Sequence, residues 1–239
     1  MKQPAVTSLA QIKSVAKAFL YFGPERTESS PITVRHPFAN SAFVGIHREG
    51  KLVVGNILDN PADISLWREE MKQQIERTDT VSALVAAIMP SYLLGFLKFV
   101  KPFLSKGDLG ETLSYCWRNC EAPNRDPNLR KPQILAMFKK ADPATIMDEE
   151  EIQRLAELPE TVTVYRGVTS LNEKDRKALS WTTDPYIASW FAHRYGEDGK
   201  VFTAKISKEY IYACFTGRGE SEVILDPNML QEITISEGE

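Results

Sequence analysis

The chain has 239 residues, 43% of them hydrophobic and 26% charged, and a net charge of −3. That length sustains one sizeable core or two small ones, and the composition is that of an ordinary soluble protein. The charge balance excludes bulk attraction to nucleic acid or to an anionic membrane, and three cysteines (116, 120 and 214) are too few for a disulfide framework. With only His36, His47 and His193 beside them, these cysteines form no recognisable zinc pattern.

Met1–Lys17 lacks the cationic start, apolar centre and small-residue cleavage site of a signal peptide, so a cytoplasmic protein is expected. Leu9, Ile12, Val15, Ala16 and Phe19 recur at helical spacing. Residues 22–30 read as a loop. Two strand-like runs follow, around Ala42–His47 and Leu52–Ile57, and Arg48-Glu49-Gly50 between them reads as a hairpin connection. Asn60-Pro61-Ala62-Asp63 starts a helix that should run to about Arg77: Asn caps, Pro fits the first turn and Asp complements the positive end. Asp79 is the expected cap of the next stretch. Thr80–Leu97 carries no charge, approaching the length of a membrane span, but Pro90 should kink it, so a buried helix pair is expected. Ser105 and Asp108 have capping-box spacing at the head of another helix. Arg118–Lys140 gathers six cations against two acids, which reads as a solvated face or a local basic surface. Short helices are expected at about 132–140 and 148–157.

The pattern changes at Pro159. Thr161–Tyr165 is rich in β-branched and aromatic residues and reads as a strand. Ala178–Thr182 is a second strand candidate, and Asp184-Pro185 caps a helix. Lys200–Ser207, Tyr210–Phe215, Glu222–Leu225 and Glu232–Ser236 complete a β-rich C-terminal part.

Three pieces of that part carry chemistry. Arg166 offers a rigid, permanently charged fork suited to phosphate, and Gly167 would let a ligand approach the backbone. Ser180 and Thr182 are two apart, hence on one strand face, with Trp181 turned into the core. Glu220 and Glu222 would likewise stand side by side in an extended strand, where mutual repulsion splits their pKa values and their roles. Taken singly, each piece has a bland alternative: a structural salt bridge, a buried hydroxyl, a pair of solvated charges on an edge strand.

Taken in order, Arg-Gly at a strand end, Ser180-Trp181-Thr182-Thr183-Asp184-Pro185 with Ala188 and Phe191, and Glu220-Ser221-Glu222-Val223-Ile224-Leu225 resemble the Arg-Ser-Glu class of mono-ADP-ribosyltransferases, the cholera-toxin-like class that includes many bacterial and phage-encoded toxins. The resemblance covers about Thr161–Ile235, with a lead-in from Asp148. Trp181 departs from the usual Thr of the middle motif.

The patterning gives an α+β fold with a mainly helical region and short hairpin, 1–147, and, since the β-rich part is thin by itself, one shared compact unit with residues 148–239; the resemblance implies that 148–239 is a mixed β-sheet transferase core. It implies NAD+ as substrate and no metal. Arg166 would hold its phosphates or ribose and Gly167 its carboxamide. Ser180 would orient the catalytic glutamate, with Thr182 secondary, and Phe191 or Trp190 would stack on nicotinamide unless core packing claims them. Glu222 would stabilise the oxocarbenium-like state, and Glu220 would position or deprotonate the acceptor. Phe215 and Arg218, on a flexible loop ahead of Glu220, would touch the acceptor. The expected acceptor is a protein arginine, because the motif ends Glu-x-Glu. A nucleic-acid base, RNA or DNA, is the alternative, as is an inactive transferase fold serving as a binding module. A toxin in phage defence, with an antitoxin protein as partner and no membrane partner, is the implied setting. A glycosidase fits poorly, since its carboxylates flank the scissile bond from separate elements.

Overall fold

The computed structural model describes residues 3–237, apart from 171, 173–176, 195, 197–198 and 218. The chain divides into two compact units, Met1–Pro123 and Asn124–Glu239. The division falls ahead of the expected boundary at 147. Residues ahead of 147 are tied to the C-terminal sheet: Asn124 Oδ1 accepts from Leu179 N, Phe138 packs on Phe215, and Lys139 pairs with Asp226.

In the N-terminal unit, helix α1 (Leu9–Leu20) is followed by a three-stranded antiparallel sheet of β1 (Glu25–Arg26), β2 (Thr33–His36) and β3 (Ala39–Ser41). Strand β1 lies in the expected loop of residues 22–30, and β2 and β3 lie beyond it where no element was expected. Strands β4 (Phe43–Arg48) and β5 (Lys51–Asn56) pair as the expected hairpin. Its turn places Glu49 and Gly50 at positive φ (51° and 76°), the geometry that matches strand twist in a two-residue connection. Helix α2 (Pro61–Arg77) starts as its sequence requires, with the Asn60 side chain accepting from the amides of Ala62 and Asp63. The apolar stretch becomes α3 (Val81–Ala86), a 3₁₀ turn opened by Pro90, and α4 (Leu93–Val100). Thr80, not Asp79, caps α3: its hydroxyl sits at the N-cap position and accepts from Ala83 N. No helix among the described residues is long and apolar enough to cross a membrane. Helix α5 (Lys106–Asn119) is capped by Ser105 through Asp108 N at 3.1 Å, as its spacing predicts.

The C-terminal unit contains α6 (Lys131–Phe138), α7 (Pro143–Ile146) and α8 (Glu149–Glu157), then β6 (Thr161–Val168), β7 (Ser180–Thr182), α9 (Pro185–His193), β8 (Lys200–Ser207), β9 (Ile211–Phe215), β10 (Glu222–Leu225) and β11 (Gln231–Glu237). The six strands form one sheet in the order β11-β8-β6-β7-β10-β9. It was expected to be mixed, yet every pairing among the described residues is antiparallel. The reason is topological. Strands β7 and β8 run parallel to each other and are joined by α9, but β6 lies between them and is antiparallel to both. Helices α7 and α8 pack on β9, and α9 packs on β6, β7 and β8.

Candidate active site of the C-terminal unit

One transverse row of the sheet organises the site. Thr203, Tyr165, Thr182, Glu222 and Phe215 are successive partners across β8, β6, β7, β10 and β9. Residues directly opposed in antiparallel strands share a face, so Tyr165, Thr182 and Glu222 line up on one side. Tyr165 packs there against Ala188, Ala192 and Val201, beneath α9.

The sheet parts at this row. Strands β6 and β7 meet through the single pair Tyr165–Thr182, although β6 continues to Val168 along β8. Arg166 alternates to the other face from Tyr165. Its guanidinium spans the opening, donating from Nη1 to the Ser180 carbonyl at 2.6 Å. Ser180 is paired on its other side with Ile224. The residue opposite Glu222 is therefore Thr182, and Ser180 lies one strand repeat (about 7 Å) further along. At the head of β7, Leu179 N donates to Asn124 Oδ1 at 2.8 Å, which fixes where the strand begins.

Thr182 is 6% exposed and its hydroxyl is already committed. It donates to the Glu220 carbonyl at 2.7 Å and accepts from Asp184 N at 3.0 Å. Expected as a secondary ribose contact, it acts here as an anchor for the segment ahead of β10. Trp181 is buried in the core as its strand position predicts, with Nε1 donating to Ala178 O.

The two carboxylates do not form the adjacent strand pair that i, i+2 spacing suggests. Ser221 has φ = 44°, so the backbone turns between them and β10 begins only at Glu222. A non-glycine residue in the left-handed region is strained by about 1 kcal/mol or more. Two flanking hydrogen bonds hold it: Thr182 Oγ1 to Glu220 O and Thr183 N to Ser221 O, the latter 3.1 Å. Glu222 is fixed on the sheet, and Glu220 is carried by a short strap. Both are half-buried.

Two residues expected to touch ligands are engaged in packing. A side chain on Gly167 would collide with α9, its Cβ lying 2.7 Å from Ala192 N, 2.9 Å from Phe191 Cβ and closer still to Ala188 O. The glycine is needed for helix-on-strand packing on that side. Phe215, expected at the acceptor, is 4% exposed and tilts against Phe138 at 6.4 Å between centroids. It is a core residue because β9 ends only after it. Arg218 lies outside the described residues. Phe191 is half-buried on α9, edge-on to the exposed Trp190 and beneath the Arg194 guanidinium.

Tyr165, at the centre of the row, was read from the sequence only as the end of a strand ahead of Arg166, and Glu151 was given no site role. Glu151 was legible only as an acidic first turn of α8. Its burial depends on a strand 60 residues away. Among the described residues no group of three or more His, Cys, Asp or Glu side chains is arranged to hold a metal. Burial pushes the Cys214 thiol up, with Glu151 and Glu222 adding to the shift and Arg154 opposing it.

Comparison with protein-family models, curated proteins and solved structures finds no match.

Proposed function

We propose that the C-terminal unit is a mono-ADP-ribosyltransferase that takes ADP-ribose from NAD+ and releases nicotinamide. The observation that supports this reading most is the juxtaposition at the sheet opening. Glu222 stands opposite Thr182, Thr182 holds Glu220 through its carbonyl, and Arg166 is bonded to the backbone of Ser180. Arg166 leaves the opposite face of β6 from Glu222 but reaches across the opening to β7, so a cation, a strand-fixed carboxylate and a second carboxylate on a strap lie along one stretch of sheet.

The chemistry suits those groups. Arg166 supplies charge for the dinucleotide phosphates. The C–N glycosidic bond to nicotinamide breaks, its electron pair leaves with the now neutral ring, and positive charge develops on the ribose. Glu222 stabilises that charge electrostatically. An acceptor nitrogen then attacks C1′ and gives up a proton, which Glu220 receives. Glu-x-Glu favours a protein arginine as acceptor, and an antitoxin is the fitting partner if the protein acts as a bacterial or phage toxin.

The test is to incubate the purified protein with labelled NAD+ and a bacterial lysate, then divide the product between protease and nuclease. Label that depends on Glu222 and is lost with protease is the expected result. Glu222→Gln should lower both transfer and NAD+ cleavage by about 10²–10³-fold, while Glu220→Gln should impair transfer and spare much of the cleavage. Label lost with nuclease would move the acceptor to a base. Absence of Glu222-dependent NAD+ cleavage would overturn the reading.

A further inference from the structure

The segment between β9 and β10 is anchored at both ends. Its C-terminal end is held by Thr182, as described. Its N-terminal end is held by Glu151, a carboxylate on α8 that is 0% exposed. Glu151 Oε1 accepts from Thr216 N at 3.0 Å, and its Oε2 accepts from Asp148 N at 3.3 Å, closing the cap of its own helix. Capping-box glutamates ordinarily lie at a helix surface, where the reciprocal bond with the N-cap suffices. Burying a carboxylate is costly unless its oxygens are engaged, so Glu151 is worth burying only if both of its oxygens have work. One oxygen fixes the helix and the other fixes the first amide beyond β9. Four residues separate Thr216 from Ser221, whose carbonyl accepts from Thr183 N, and they include Gly219 at φ = 66° and Glu220, whose own carbonyl accepts from Thr182 Oγ1.

We propose that Glu151 is a positioning residue for acceptor transfer: through Thr216 it sets the strap that carries Glu220, and so decides whether the oxocarbenium-like sugar is delivered to an acceptor or to water. This rests on the transferase reading above. It concerns a residue that touches neither NAD+ nor acceptor, and it separates the two carboxylates by their supports. Glu222 is held by its strand pairing to Thr182 on one side and Phe215 on the other. The Glu220 position depends on both clamps.

The experiment compares the wild-type full chain with Glu151→Ala and Glu151→Gln. The glutamine keeps an oxygen that can accept from Thr216 N, and the alanine does not. Hydrogen exchange of the amides from Thr216 to Ser221 is read beside the ratio of acceptor transfer to NAD+ hydrolysis. Glu151→Ala should speed exchange in that segment by about tenfold or more, as expected when a hydrogen bond to a charged group is lost. It should also lower the transfer-to-hydrolysis ratio by roughly tenfold to a hundredfold, the scale of a small misplacement of a catalytic group. Glu151→Gln should restore most of both. Unchanged exchange in Glu151→Ala overturns the clamp. Faster exchange with transfer and hydrolysis falling in equal proportion overturns the positioning role and leaves Glu151 structural. A wild-type protein that does not cleave NAD+ overturns the transferase reading and the positioning role together, while the exchange result still judges the clamp. If Glu151→Ala does not fold, faster segment exchange and a reduced ratio in Thr182→Val, which releases the opposite anchor, must take its place, and their absence overturns the proposal.

Discussion

Gly167→Ala tests whether α9 is locked to β6 by contact at the backbone. The added methyl would sit 2.7 Å from Ala192 N, 2.9 Å from Phe191 Cβ and inside the Ala188 carbonyl. Two of these three atoms belong to the backbone, so no side-chain rotation relieves the clash. Bringing the Ala192 contact out to ordinary van der Waals distance requires strand and helix to part by about 0.7 Å or more. Interiors are close-packed, and overpacking costs about 1–3 kcal/mol even where side chains can give. Here the upper end, about 3 kcal/mol, is expected, lowering the melting temperature of the C-terminal unit by roughly 10–20 °C. Gly199 meets the same helix, with a Cβ 2.6 Å from both the Ala192 carbonyl carbon and the Val168 carbonyl oxygen. Because one displacement of α9 relieves both clashes, the double variant should lose less than the sum of the singles. Calorimetry and circular dichroism on the full chain measure these shifts. A melting temperature within about 2 °C of wild type, with only the NAD+ KM raised, would show that Gly167 is a ligand contact and that the packing argument is wrong.

Two further outcomes concern the N-terminal unit. His36 is 1% exposed, with Phe38 N donating to its Nδ1 at 3.0 Å and the Trp67 ring edge-on at 5.0 Å; burial above all lowers its pKa from 6.5 to about 4. A folded-state pKa below the unfolded one contributes stability that is present above pH 6.5 and is lost as pH falls toward 4, about 3 kcal/mol in all. Urea titrations at pH 7 and pH 4 should differ by that amount, and a His36→Gln variant with the same acid sensitivity would refute the assignment. Gly107 lies in the first turn of α5, where an added Cβ meets only Ser105 Oγ at 4.0 Å. Gly107→Ala should therefore stabilise the protein by roughly 0.5–1 kcal/mol, visible as a raised urea midpoint.

What could be read from the residues was what is decided locally. The Asn60 cap and the end of α2 at Arg77, the hairpin turn at Glu49-Gly50, and the alternation that makes Lys200–Ser207 a strand each depend on neighbours a few positions away. The sheet of β1, β2 and β3 escaped notice because its strands are two to four residues long and offer no periodicity to detect. The order of the six strands escaped for a different reason: nothing in the composition of β7 says that β6 will lie between it and β8. Within the site, the motif residues were identifiable and their surroundings were not. Gly167 signals a close approach in sequence, but only packing says that the approaching body is α9. Glu151 signals a helix start, and its second bond is to an amide 65 positions away.

Ser221 is the clearest instance of a local rule overruled by its setting, and the reversal bears on mechanism. Spacing of two residues predicts a shared strand face, and a shared face would set two like charges side by side. Left-handed backbone at Ser221 removes that constraint at a cost of about 1 kcal/mol or more, which the Thr182 and Thr183 hydrogen bonds offset at about 1 kcal/mol each. The anchors are consecutive residues of β7 and its exit, so the segment that faces Glu222 across the sheet is also the one that bends the chain ahead of it. A carboxylate fixed on a strand and a carboxylate carried on an anchored strap can then be perturbed one at a time. Under the proposed transferase reading, that independence is the structural condition under which bond cleavage and acceptor deprotonation can fail separately.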